Sequence, residues 1–267
     1  MKPIQIKETI KNVKYVLSAQ FFSLMLNIVL ALIVPKFLGV EDFGYWQLFI
    51  FYSGLVGIFH LGLIDGIYLR EGGKYYEELN FKSINGQFLV MLSLQFFICL
   101  IFFFNLPDVL SDDRKVVLIF TIISIPIVNS YFFLSYILQA VNKIREYTIG
   151  VMVDKVFFLV CVIFLVAIKY TSFEPYIIAF VFSKIISIIY LMIVNKPVLF
   201  SVNFNFILIF KETLKNIKIG SLLLFSNLSS LMIIGISRFF IDLNLGIELF
   251  GIISFYFSIC KPCFSFY

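Results

Sequence analysis

The chain has 267 residues and a formal net charge of +5; 61% of its residues are hydrophobic and only 14% are charged. Its mean hydropathy is +1.02, and it contains 35 phenylalanines. This is more apolar side chain than the core of a water-soluble domain absorbs, so the composition excludes a soluble protein and predicts a polytopic membrane protein.

Apolar runs of about twenty residues, the length that crosses about 30 Å of hydrocarbon, recur along the whole chain. Short stretches with Gly, Pro and charged residues separate them. The predicted spans are residues 16–36, 46–69, 86–106, 116–140, 147–168, 176–195 and 218–241, with an eighth that begins near Ile247. We therefore expect an all-α fold with about eight transmembrane helices joined by short loops.

Lysine and arginine are distributed unevenly between the two sides that these spans define. The N-terminus and the loops after spans two, four and six hold Lys2, Lys7, Lys11, Lys14, Arg70, Lys74, Lys82, Lys143, Arg145, Lys196, Lys211, Lys215 and Lys218. The opposite loops hold only Lys36, Arg114, Lys115 and Lys169, with Arg238 close to that side. Because basic loops stay in the cytoplasm, we expect a cytoplasmic N-terminus.

A seven-residue pattern occurs twice, first at residues 38–44 (Leu-Gly-Val-Glu-Asp-Phe-Gly) and again at residues 245–251 (Leu-Gly-Ile-Glu-Leu-Phe-Gly). An even number of predicted crossings separates the copies, so both point the same way, as in duplicated lobes. We expect residues 1–200 to form an N-terminal six-helix lobe. Residues 201–267 are expected to start a second lobe, with span seven and a partial span eight.

Polar residues recur at helical spacing in the first span, where Gln20, Ser23 and Asn27 share one face. The repeat places Asn227 and Ser230 at the positions of Gln20 and Ser23. Polar groups that face lipid unpaired are costly, so both stripes are expected inside the bundle. Two interpretations stay open. The stripes line a cavity between the lobes, with Gln20 opposite Asn227, or they make ordinary hydrogen bonds between helices.

Ionisable side chains inside apolar spans are costly unless they find a partner or water. The candidates are Asp65, Asp154, Lys155, Lys184 and Arg238. Such residues either fix helix register as structural pairs or line a hydrated pathway. The two deep carboxylates, Asp65 and Asp154, are interpreted as coupling-ion or structural groups.

Some pairings can be predicted from spacing. Lys184 on span six is a candidate partner for Asp154 on span five. Arg238 and Asp242 lie four residues apart, which favours a pair within one helix. The GxxxG spacing that ends at Gly66 predicts close helix packing.

No catalytic motif is visible, and the loops are too short to gather one. Cys260 and Cys263 have CxxC spacing, but a zinc site needs further ligands, and the only histidine, His60, lies in a different span. His60 is interpreted as a packed or hydrogen-bonded residue. We expect no enzyme activity, no catalytic residue, no metal and no cofactor.

Two motifs carry a family resemblance: the repeated Leu-Gly-x-Glu-x-Phe-Gly pattern, and residues 61–74, which contain Leu-Gly-Leu and then Asp-Gly-Ile-Tyr-Leu-Arg-Glu-Gly-Gly-Lys. They resemble the polysaccharide flippases of the Wzx type, in the multidrug/oligosaccharidyl-lipid/polysaccharide exporter superfamily. The resemblance extends to about Ile259. The first motif is shared across polysaccharide exporters, and the second is more typical of a bacterial subset.

This resemblance implies a two-lobed protein of the bacterial inner membrane that moves undecaprenyl-pyrophosphate-linked oligosaccharide units for O-antigen or capsule polysaccharide by alternating access. The implied partners are that lipid-linked oligosaccharide, membrane lipids and other polysaccharide assembly proteins, with no nucleic acid. Cationic cavity residues are expected to bind the pyrophosphate. The expected substrate-binding residues are Arg70, Lys155, Lys184, Arg238, Gln20 and Asn27.

Family members continue through four or more further helices beyond the point where this sequence ends. We therefore expect a C-terminally truncated member that does not transport by itself. Three alternatives stay open: a drug or cation exporter of the same superfamily that uses Asp65 and Asp154, a membrane polymerase or transferase of the same pathway, and a structural subunit that assembles with another chain.

Overall fold

The computed structural model describes residues 3–107, 109–201 and 205–264, and most side chains between residues 14 and 258. Its elements are helical, and no strand occurs in these ranges. The α-helices are α1 (Pro3–Phe37), α2 (Val40–Leu55), α3 (Leu63–Glu71), α4 (Phe81–Phe104), α5 (Asp112–Ala140), α6 (Ile144–Ala167), α7 (Glu174–Val194), α8 (Lys196–Leu199), α9 (Phe206–Leu245) and α10 (Ile247–Phe264). The all-α prediction is confirmed. The side chains of Cys260 and Cys263 lie outside the described part.

Six helices in the described ranges are long and apolar enough to cross a membrane, namely α1, α4, α5, α6, α7 and α9. A seventh span results when α2 and α3, which are bent by 63° relative to each other, are counted together. These seven match predicted spans one to seven in order. The predicted eighth span corresponds to α10, whose apolar part, Ile247–Ser258, is shorter. The polytopic helical membrane architecture is therefore confirmed.

The second span was predicted as one helix but is broken in its middle. After α2 ends, a 3-10 turn runs over Val56–His60, and Leu61 and Gly62 then adopt left-handed backbone angles, with φ of 54° and 84°. Residues in this conformation cannot continue a right-handed helix, and Gly62 adopts it without strain because it has no Cβ. The polar residues near this break are thus placed by a bend that hydropathy does not reveal.

The loops separate into two ends of the bundle, as the charge pattern predicts. At one end, called the basic end here, Arg70 forms an ion pair with Glu212 at 2.8 Å, and the Lys143 nitrogen lies 3.7 Å from the centre of the Tyr76 ring. At the opposite end, Asp42 accepts a hydrogen bond of 3.1 Å from the backbone N–H of Phe173. Loops that should share a side of the membrane therefore contact each other.

Helix α9 lies against the bent second span because glycines leave no side chain between the two backbones. A Cβ on Gly220 of α9 would overlap the backbone of Gly62 and Gly66, and a Cβ on Gly66 would overlap the carbonyl group of Asn216. The predicted role of the GxxxG spacing in close helix packing is confirmed, and its partner is α9.

The two copies of the repeated pattern contact each other through α2 and α10. A Cβ on Gly44 would overlap the carbonyl oxygen of Ile247, and a Cβ on Gly251 would lie 3.1 Å from the carbonyl oxygen of Val40. Gly44 and Gly251 are equivalent in the repeat, and so are Val40 and Ile247. The glycine of each copy therefore packs against the first helical residue of the other copy. An approximate two-fold axis produces this kind of reciprocal contact.

Candidate functional site

A cavity of about 890 Å³ lies between α1, α2, α6 and α7, with α10 at its edge. From α1 the predicted polar stripe Gln20, Ser23 and Asn27 faces it, and α6 contributes Asp154 and Lys155. The rest of the lining is largely apolar and includes Leu17, Phe21, Leu24, Trp46, Phe158 and Phe180. The cavity is therefore amphiphilic, with one polar strip and several aromatic walls.

Asp154 and Lys184 form a buried ion pair beside this cavity. Lys184 Nζ lies 2.7 Å from Asp154 Oδ2, and the Ser183 hydroxyl donates to Asp154 Oδ1 at 3.0 Å. The two charged side chains are only 4% and 11% exposed. Lys184 Nζ also lies 4.2 Å from the centre of the Tyr131 ring, a favourable position for a cation. The predicted partnership is confirmed.

Of the four cations predicted to bind substrate, only Lys155 lines the large cavity among the residues described. Lys184 is held by Asp154, as above. Arg238 and Arg70 lie in contacts of their own, between helices and away from the cavity lining. Sequence reasoning could not separate these cases, because the direction of each side chain depends on how its helix is rotated.

Arg238 is enclosed where α2, α9 and α10 meet. It donates to Ser254 Oγ at 2.9 Å and to Gln47 Oε1 at 3.3 Å, and its guanidinium lies 5.1 Å from the ring centres of both Phe51 and Phe250. Gln47 itself lines the large cavity. Gln47 therefore lies between Arg238 and the cavity. Arg238 stabilises the cavity wall through its hydrogen bond to Gln47.

The predicted pair between Arg238 and Asp242 is wrong. Asp242 lies 2.7 Å from the guanidinium of Arg114, at the start of α5, and accepts a hydrogen bond of 2.9 Å from the Tyr52 hydroxyl. The rule for residues four apart describes a helix alone, whereas here each of the two side chains has closer partners on neighbouring helices. The Asp242 contacts join α2, α5 and α9 at the opposite end.

Replacing Asp242 with alanine is expected to destabilise the protein by about 2 kcal/mol, the scale of hydrogen bonds to charged groups. The Asp242 side chain is 1% exposed, and its removal leaves the Tyr52 hydroxyl without its acceptor and the Arg114 guanidinium with only the backbone carbonyl of residue 242. Asp112→Ala is the matched control because that carboxylate is fully exposed, and its loss should change the melting temperature in detergent little. Equal melting temperatures for both variants would contradict this assignment.

Arg70 belongs to a polar network at the basic end. Besides its ion pair with Glu212, it donates to Asn216 Oδ1 at 2.6 Å, and Asn216 donates in turn to Gln87 Oε1 at 2.6 Å. These contacts join α3, α4 and α9. Arg70 lies outside the lining of the large cavity, so the structure does not bring it together with Gln20 and Lys155.

A second cavity of about 410 Å³ lies at the break of the second span. Its polar lining consists of His60, Asp65, Tyr136, Asn227 and Ser230. The prediction that Asn227 faces Gln20 across one cavity is wrong, because the two residues line different cavities. The glycine contacts hold α9 on α3 and turn its polar stripe toward the break rather than toward α1.

Sequence reasoning interpreted His60 as a packed or hydrogen-bonded residue and left it out of the candidate site. The structure confirms that it is buried and hydrogen-bonded, and also places it beside Asp65, with 3.7 Å between Nε2 and Oδ2. Residues five apart on an unbroken helix point about 140° from each other, so the pair does not look like a contact. The Leu-Gly sequence between them was the available signal, since a glycine in an apolar run marks a possible break.

Comparison of the chain with protein-family models, with curated proteins and with solved structures gave no match.

Proposed function

We propose that this protein is a membrane transporter of the polysaccharide flippase type, with undecaprenyl-pyrophosphate-linked oligosaccharide as its substrate and the bacterial inner membrane as its location. The observation that supports the proposal most directly is the amphiphilic cavity of about 890 Å³, with its polar strip from α1 and the cation Lys155. The symmetric contact between the two repeat copies supports a duplicated transporter.

The chemistry of such a substrate fits this lining. Its sugars offer hydroxyl groups to the amide groups of Gln20 and Asn27, and its pyrophosphate offers negative charge to Lys155. Pockets of about 300–1,000 Å³ hold molecules of drug size, so a short glycan head group fits, while the polyprenyl tail stays in lipid. In this proposal the basic end faces the cytoplasm, where basic loops are retained.

The alternative of a drug or cation exporter needs a carboxylate that is free to bind a cation in the large cavity. Asp154 lines that cavity, but its charge is already compensated by Lys184 and its second oxygen accepts from Ser183. The large cavity therefore favours an anionic, hydroxyl-rich substrate.

Complementation tests the proposal. The chain, and a version extended by a second lobe, are expressed in a strain that lacks its flippase, and surface polysaccharide is measured. Rescue by at least one version is expected. If neither restores surface polysaccharide although both reach the membrane, the proposed function is wrong.

Lys155→Gln is expected to weaken binding of the lipid-linked oligosaccharide to the purified protein by about tenfold or more, because an ionic hydrogen bond to pyrophosphate contributes about 1.5–3 kcal/mol. Lys82→Gln is the matched control, since Lys82 is exposed at the basic end and does not line the cavity. Native mass spectrometry of the protein with added substrate measures both. Equal binding by the two variants would remove Lys155 from the site.

A further inference from the structure

A titratable pair stands on either side of the break in the second span. His60 is the last residue of the 3-10 turn, and Asp65 lies in the first turn of α3. Only the two left-handed residues and two residues of α3 separate them along the chain. Because one side chain belongs to each half of the span, the distance between them follows the angle of the bend.

Hydrogen bonding determines which nitrogen of His60 faces the carboxylate. The backbone N–H of Gly62 donates to His60 Nδ1 at 3.0 Å, so Nδ1 is the acceptor and the neutral ring carries its hydrogen on Nε2. Nε2 therefore presents an N–H to Asp65 Oδ2. The separation of 3.7 Å between these two atoms is too long for a hydrogen bond.

Asp65 Oδ2 has no hydrogen-bond partner within the described ranges, although Asp65 is only 2% exposed. A carboxylate that is ionised, buried and unpartnered is costly at this depth, so its charge requires a bound cation. The cavity of about 410 Å³ adjoins Asp65 and gives such a cation a place to enter and leave.

The groups around the pair are nearly all neutral. Helix α9 contributes Asn227 and Ser230, and α5 contributes Tyr136, whose ring packs against Tyr68 at 5.6 Å. Helix α4, which packs beside the 3-10 turn, carries Cys99, whose thiol donates to a backbone carbonyl of α5. No lysine or arginine lines the cavity in the described part of the chain. The charge of Asp65 is therefore not compensated by a fixed cation in the cavity wall.

We propose that His60 and Asp65 form a proton-binding site that controls the bend of the second span. With the proton on Asp65 Oδ2, the pair is neutral and rests at its observed separation. When the proton leaves through the cavity, the carboxylate attracts the Nε2–H, and a charge-assisted hydrogen bond draws the two halves of the span together. The ligand is a proton rather than Na⁺, because a metal ion beside Asp65 Oδ2 would face the hydrogen of Nε2.

The bend is connected to the rest of the bundle. Gly62 packs so closely on α9 that a Cβ there would lie 2.7 Å from the backbone nitrogen of Ser221. A change in the bend therefore displaces α9, which ends where the second copy of the repeat begins. Proton binding and bending do not depend on the transported molecule, and only their use to drive transport rests on the proposed function.

Infrared difference spectroscopy of the full chain in lipid nanodiscs tests proton binding. We expect the carbonyl band of a protonated carboxyl group to titrate with pH, to disappear in Asp65→Asn and to persist in Asp112→Asn, whose carboxylate is exposed. A wild-type protein without a titrating band overturns the proposal, as does a band that persists in Asp65→Asn. A change produced by Na⁺ at constant pH, and not by pH, also overturns it.

Electron spin resonance tests the bend. Spin labels are placed at two exposed positions, Glu41 in α2 and Leu69 in α3, after the four native cysteines are replaced by serine. The label distance should change with pH in the otherwise native chain and should not change in Asp65→Asn or His60→Gln. A titrating carboxyl band with an unchanged label distance in the native pair overturns the bending mechanism. Neither measurement uses a transport substrate, so complementation can fail while this site is confirmed.

Discussion

Gly220→Ala is expected to separate α9 from the second span and to lower the stability of the protein by about 1–3 kcal/mol or more, the usual cost of an overpacked contact. The added Cβ overlaps the backbone of Gly62 and Gly66, and backbone atoms cannot move aside as the end of a flexible side chain does. The contact lies between the break in the second span and the polar network of Arg70 at the basic end. Separation of α9 from α3 therefore also loosens the packing around the small cavity. Thermal unfolding in detergent measures the loss.

Gly54→Ala is the matched control, because it adds the same methyl group to α2 where no atom lies within 4 Å of the new Cβ. It is expected to stabilise the helix by up to about 1 kcal/mol, since alanine favours helix more than glycine does. The two variants should therefore shift the melting temperature in opposite directions. Similar shifts would show that α3 and α9 are not in close contact.

Removing one member of the pair Asp154 and Lys184 is expected to cost about 3–5 kcal/mol, because the other charge is then buried without a partner. Asp154→Leu and Lys184→Met test each side separately. The double variant should recover most of the loss, since an apolar pair of similar volume avoids the burial of charge. A double-mutant cycle from unfolding data gives the coupling energy directly.

The pair Glu71 and Lys74, with an N–O distance of 2.8 Å and side chains that are 17% and 45% exposed, provides the more exposed reference for that cycle. Its removal is expected to change stability by about 1 kcal/mol or less, because water reaches this pair and screens its charges. Equal coupling energies for the two pairs would mean that Asp154 and Lys184 are not shielded from water. The bundle around α6 and α7 would then hold a hydrated path rather than a structural ion pair.

The helical spans were predictable because the signal for a span is local. A run of about twenty apolar residues must become a helix in a membrane, whatever its neighbours are. The grouping of the loops at two ends follows from the alternation of the spans, and the contact of Arg70 with Glu212 agrees with it. The close packing at Gly66 was also predictable, since a helix face without side chains favours contact with another backbone.

The pairing of ionisable and polar side chains was only partly predictable from the sequence. Lys184 and Asp154 were correctly matched because few charges lie at that depth, so each had few alternatives. Arg238 and Asp242 were wrongly matched because nearness along one helix does not exclude a better partner on another helix. Gln20 and Asn227 were placed in one cavity because the repeat gives equivalence in sequence but not the rotation of each helix in the bundle.

The sequence by itself determined the all-α polytopic class of the protein, the order of the first seven spans, the two ends of the bundle and the repeat that contains Gly44 and Gly251. These depend on hydropathy, charge and repetition, which are properties of the chain alone. The tertiary structure decided the break after His60, the division of the polar residues between two cavities, and the separation of Lys155 from the other cations. Those features depend on how helices bend and rotate when glycines allow close contact, and only the packed bundle determines them.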